Sequence, residues 1–120
     1  MRYLLMIHAD EKSWEAVSDG EREARVAQYT AFARRARERG ILHGGDELQS
    51  TASATTVRVQ DGQTLVTDGP YAETKEALGG FFLVEAESID DAVELAKQLP
   101  EPPAGGGIEI RPVYVDEGGE

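Results

Sequence analysis

Thr67-Asp68-Gly69-Pro70-Tyr71-Ala72-Glu73-Thr74-Lys75-Glu76-Ala77-Leu78-Gly79-Gly80-Phe81-Phe82-Leu83-Val84-Glu85-Ala86 is the stretch that decides the fold. It divides in two. Asp68-Gly69-Pro70 is a turn cluster, and the charges of Glu73, Lys75 and Glu76 follow it closely. Gly79-Gly80 then opens the apolar run Phe81-Phe82-Leu83-Val84, which reads as a buried strand over 81–86. A charged loop directly ahead of a central strand is where a small domain carries a site.

Working outward, residues 2–8 read as a second strand of the same kind. Tyr3, Leu5 and Ile7 point one way and Leu4 and Met6 the other, so both faces are apolar. His8 continues the face of Leu4 and Met6. Residues 9–17 read as a loop, with Trp14 as a lid on the core edge. The first helix spans 18–39. Ser18 and Glu21 form a capping box, Val26, Tyr29, Phe32, Ala33 and Ala36 make one apolar stripe, and Gly40 supplies the stop. Residues 41–49 form a bulged edge strand with exposed acids, softened by Gly44-Gly45. Residues 53–68 form a hairpin turning at Asp61-Gly62. A second helix spans 88–99, capped by Ser88 and ended by Pro100. A Pro/Gly connector over 102–107 leads to a last strand, 108–115, and an acidic tail, 116–120.

A chain of 120 residues is one domain. It holds no cysteine, and the apolar run at its start is too short for a signal peptide or a membrane span. These features point to a cytoplasmic protein. The net charge is −11, all of it carried by residues 61–120. Nucleic acid and anionic membranes are disfavoured as partners, since neither is attracted by such a surface. The one basic cluster, Arg34, Arg35, Arg37 and Arg39, reads as a solvated helix end.

With the hairpin set aside, the order β-α-β-β-α-β is that of the α+β ferredoxin-like fold, with the hairpin as an insert. In that topology strands 2–8 and 81–86 take the middle of the sheet. Two helices cover one face, and the other, still apolar, calls for a second copy of the chain. Asp68-Gly69-Pro70-Tyr71-Ala72-Glu73-Thr74-Lys75-Glu76 with Gly79-Gly80-Phe81 resembles the DGPF motif of the YCII-related family, Tyr71 standing where Phe is usual. The resemblance extends from the first strand to Ile110-Arg111-Pro112-Val113. It implies a homodimeric α+β barrel built on a ferredoxin-like protomer. In smaller members of the family a His on the first helix and an Asp are a proposed acid–base pair. Residues 18–39 contain no His, so that pair does not carry over. Relatives of the DGPF type are often encoded beside extracytoplasmic-function sigma factors.

The candidate site residues follow from the charged loop and the two histidines. Asp68 either closes its turn by accepting backbone N–H bonds or serves as a general base or ligand-orienting acid. Glu73 and Lys75 form either a surface ion pair worth under about 1 kcal/mol or a cradle for a small anionic or zwitterionic ligand. Tyr71 and His8 complete the candidate ligand-binding set, and His43 joins Asp68 as a candidate catalytic residue. His43, Asp46 and Glu47 alternate in direction along a strand, so they do not converge as metal ligands. No functional metal and no cofactor are called for. Two functions compete: a homodimer that binds or transforms a small polar metabolite, and a non-catalytic dimeric module that docks another protein, linked to sigma-factor-associated regulation.

Overall fold

The computed structural model describes residues 1–103 and 105–115. The acidic tail expected over 116–120 lies outside them. Among the described residues the protein is α+β, with antiparallel sheets and three α-helices. Strand β1 is Arg2–Asp10. Helix α1 is Glu11–Ala16, where the sequence predicts only a loop. Asp10 explains the difference: its carboxylate accepts the Lys12 N–H at 3.0 Å and starts the helix. Helix α2, Asp19–Glu38, is capped by Ser18, whose Oγ accepts from Glu21 N at 3.1 Å. Strand β2, Leu42–Glu47, precedes a short 3-10 turn at Thr51–Ser53. Strands β3, Thr55–Gln60, and β4, Gln63–Asp68, make the hairpin, with Asp61 and Gly62 both at positive φ as a two-residue turn requires.

Strand β5 is Glu76–Glu85, five residues longer at its start than the sequence predicts. Gly79-Gly80 therefore sits inside the strand and does not open it. Ile7 pairs with Gly80 and His8 with Leu78, which leaves Gly79 as the extra residue of a bulge. Helix α3, Ile89–Ala96, is capped by Ser88, and strand β6 is Gly107–Pro112.

The main sheet has the order β2-β5-β1-β6, so the two doubly apolar strands are its centre. The register stacks Tyr3 with Val84, Leu5 with Phe82 and Ile110, and Ile7 with Gly80 and Ile108 on the face under the helices. Leu5, Val84 and Phe32 are fully buried there, joined by Ala92, Leu95 and Leu99 from α3 and the turn after it. Each such side chain contributes about 1.5–3 kcal/mol by leaving water. The opposite face carries Leu4, Met6, Phe81 and Leu83, all half-buried, with Glu109 and Arg111 of β6 at its edge. No described helix is long and apolar enough to cross a membrane.

The hairpin β3–β4 forms a sheet of its own. Val57, Val59 and Val66 are 61%, 71% and 64% exposed, so its apolar face is bare.

Candidate functional site

Helix α2 meets the sheet with only its C-terminal half. Phe32 and Ala36 are buried, while Val26, nearer the start, is exposed. Under the raised half lies a cavity of about 310 Å³. Val26, Tyr29, Thr30 and Ala33 of α2 roof it, and Trp14 and Glu11 of α1 close one side. Ile7 and Ala9 of β1, Gly45 and Glu47 of β2, and Ala77, Gly79, Gly80 and Phe82 of β5 form the floor, with Pro102 and Pro103 at the rim. An apolar, aromatic-walled space of this size with few polar groups is the usual form of a small-molecule site.

The floor is open because glycines build it. A Cβ on Gly45 would come within 2.7 Å of Phe82 Cδ1 and 2.8 Å of the Phe81 carbonyl oxygen. Phe82 itself is held from behind by an edge-on contact with Phe32, the rings 5.0 Å apart. The side wall is tied down by α1. Glu11 accepts from Thr51 N at 2.7 Å and from Thr51 Oγ1 at 2.8 Å, fastening α1 to the 3-10 turn. Arg22 of α2 donates to the Trp14 carbonyl at 3.0 Å and lies 5.8 Å from the centre of the Trp14 ring. Trp14 is thus a fixed wall.

The polar groups are few. Burial pushes the Tyr29 phenol above its ordinary value of 10.0, the Arg25 cation pulls it back and Glu47 pushes it up again. Tyr29 therefore presents a neutral hydroxyl, and that hydroxyl has no hydrogen-bond partner among the described residues. Glu47 lies opposite Gly80, which is opposite Ile7, so its side chain projects to the helix side. Asp46, opposite Phe81, projects to the other face.

The residues singled out in the sequence lie elsewhere. Asp68 ends β4 opposite Thr55 and is exposed. Its carboxylate makes no bond among the described residues. The turn is closed instead by Gly69 N donating to the Ala54 carbonyl at 2.8 Å and Thr56 Oγ1 donating to the Gly69 carbonyl at 2.8 Å. Tyr71 folds back on the hairpin, where the Arg58 guanidinium sits 4.6 Å from its ring and donates to its carbonyl at 2.9 Å. Glu73 and Lys75 are exposed, form no ion pair with each other, and line neither the cavity nor a second concavity at the far end of the sheet. That second space, about 540 Å³, is walled by Arg39, Glu85, Glu87, Asp91 and Glu94 and has no aromatic wall.

The two histidines sit on the open face of the sheet and are not brought together. His8 Nε2 meets Glu109 at 3.1 Å, and Arg111 Nε donates to the same carboxylate at 2.9 Å. His43 Nε2 meets Glu85 at 2.8 Å, and the Met1 amino group meets Glu85 at 2.8 Å. Glu109 is lowered from the ordinary carboxylate value chiefly by Arg111 and then His8. Glu85 is lowered chiefly by the Met1 amino group and then His43. Among the described residues no three acidic or histidine side chains gather as a metal centre.

The cavity residues carry weak sequence signals. Val26, Tyr29 and Ala33 read as core, because a helical stripe says nothing about a helix that lifts off its sheet. The two glycine pairs, Gly44-Gly45 and Gly79-Gly80, are the signal that points to an open floor. The β2–β5 register sets Gly45 opposite Phe82 and Gly80 opposite Glu47, so the two pairs open different parts of the floor.

Comparison with known proteins gives the chain's relationships. The model of the YCII-related domain matches residues 1–115. A protein of Rhizobium meliloti (strain 1021), described there as uncharacterised, is 37% identical over 121 residues, covering 100% of this chain and 98% of that one. A match across almost the whole length, with the glycine-built floor and the long central strand inside it, means that the chain belongs to the YCII-related domain family.

Proposed function

We propose that this protein is a homodimer that binds a small molecule in the cavity beneath α2. One observation carries it: a space of about 310 Å³ lined by the aromatic side chains of Trp14, Tyr29 and Phe82, the Tyr29 hydroxyl having no hydrogen-bond partner among the described residues. A concave, mostly apolar space with a few polar groups, open to solvent beside a well-packed core, is a form that small-molecule sites take. The protomer is ferredoxin-like, with β3–β4 as the insert. Two copies meet through the open sheet face, where Leu4, Met6, Phe81 and Leu83 otherwise face water. The ligand sits under the helix and away from the loop of Asp68, Tyr71, Glu73 and Lys75, which follows the hairpin.

A thermal-shift screen of small metabolites tests this, run on the native protein and on Ala33→Phe, in which the added ring fills the cavity from its roof. A ligand that binds only the folded state raises the melting temperature by mass action. The expected result is a set of compounds that shift the native protein and leave Ala33→Phe unmoved. Equal shifts in both proteins, or none from a broad collection, would overturn the proposal.

One observation favours a second function, the docking of another protein. The hairpin's apolar face is bare, and three exposed valines side by side are a contact surface. A protein held there is lost from Val57→Ser with Val66→Ser, whereas a cavity ligand is retained.

A further inference from the structure

We infer that the cavity selects a protonated amine, its apolar body lying against Trp14 and Phe82 and its ammonium between the Glu47 carboxylate and the Tyr29 hydroxyl. This rests on the cavity being a ligand site and says what kind of ligand it takes.

The charge of the lining is one-sided. Its charged residues are Glu11, Asp46 and Glu47, and no Lys, Arg or His lines it among the described residues. The bases nearest by position on α2 lie outside the lining. Arg25 bonds Glu21 at 3.1 Å and the Glu101 carbonyl, and Arg22 bonds the Trp14 carbonyl at 3.0 Å. Arg22 keeps an Nε unpartnered among the described residues, but neither arginine lines the cavity.

The three acids are not equivalent. Both oxygens of Glu11 are taken by Thr51. Asp46 projects to the opposite face of the sheet. Glu47 remains, on the helix side, with no hydrogen bond or ion pair among the described residues and close enough to Tyr29 to act on its ionisation. The exposed Glu47 carboxylate from the floor and the neutral Tyr29 hydroxyl from the roof of the apolar cavity offer acceptors to an ammonium. An anion placed there would meet the like charge of Glu47, while the Arg25 cation that also acts on Tyr29 is held by Glu21 and the Glu101 carbonyl and does not line the cavity. The net charge of −11 draws cations toward the protein before they reach the site.

The test is calorimetric titration with three compounds that share a phenylethyl body: 2-phenylethylamine, 2-phenylethanol and 3-phenylpropionate. Native protein is expected to bind the amine, the alcohol at least about tenfold more weakly, and the carboxylate not at all, since a hydrogen bond to a charged group exceeds a neutral one by about that factor. Glu47→Gln is expected to weaken the amine about tenfold and to leave the alcohol unchanged. Tyr29→Phe is expected to weaken the amine and the alcohol alike. Carboxylate binding as tight as the amine's, or amine affinity unchanged in Glu47→Gln, would overturn the amine assignment while the cavity stands. Amine binding that survives Ala33→Phe would overturn the cavity itself. Failure of all three compounds to bind native protein would overturn both.

Discussion

At Asp68 the carboxylate is idle and the backbone does the work. Gly69 and Thr56 close the turn, so Asp68→Ala is expected to change stability by less than about 0.5 kcal/mol, as at an ordinary surface position. Thr56→Val removes the hydroxyl that satisfies the Gly69 carbonyl and is expected to cost about 1 kcal/mol. Urea midpoints of the two variants separate these cases. A larger loss in Asp68→Ala than in Thr56→Val would return the turn to the carboxylate. Gly45 is the opposite kind of residue, constrained by what surrounds it. A methyl group there collides with the Phe82 ring and the Phe81 carbonyl, both within 3 Å. Gly45→Ala is therefore expected to cost about 1–3 kcal/mol by overpacking. Because Phe82 must shift, the same variant is expected to reshape the floor and weaken any cavity ligand.

At the scale of the elements, Glu85 fastens the end of β5 to both of its neighbours, to β1 through the Met1 amino group and to β2 through His43. Its carboxyl is held below 4.5, the ordinary carboxylate value, by those two donors. The unfolded chain then takes up the proton at a higher pH than the folded one. The stabilisation is complete above 4.5 and is lost as pH falls through the lowered folded value. Glu85→Gln is expected to flatten the acid limb of the stability–pH curve, and an unchanged limb would show that the two links carry no stability. Glu85 is well exposed, so the effect is confined to that limb. Most elements were legible in the sequence because their signals are local. Ser18 and Ser88 announce their helices, Asp61-Gly62 its hairpin, and the doubly apolar runs their central strands. Helix α1 was missed because six residues carry too little periodicity to read. The start of β5 was missed because Gly79-Gly80 looks like a boundary and is a bulge. The cavity is legible only in its two glycine pairs, since its walls come from residues as far apart as Ile7 and Pro103 and depend on how α2 tilts.

For the whole molecule, the central question is what covers the second face of the sheet. If a second copy does, light scattering gives twice the 13.0 kDa of one chain. Leu83→Glu, which puts a charge in the middle of that face, is expected to yield a folded monomer. A native protein that scatters as a single chain at micromolar concentration would remove the dimer and leave the cavity proposal intact, because every cavity wall comes from one protomer.

The order of the strands also governs how the chain is made. β1 pairs with β5 and β6, and with neither of the strands that follow it first. On the ribosome, residues 2–10 must wait for a partner until residues 76–85 emerge, and for their second partner until 107–112 follow. β1 is thus flanked on both sides only after every other strand of its sheet has emerged, and its apolar side chains are open to chaperones until then. Nascent chains arrested before Gly107 are expected to remain open to protease along β1, and protection is expected to appear only once β6 has left the exit tunnel.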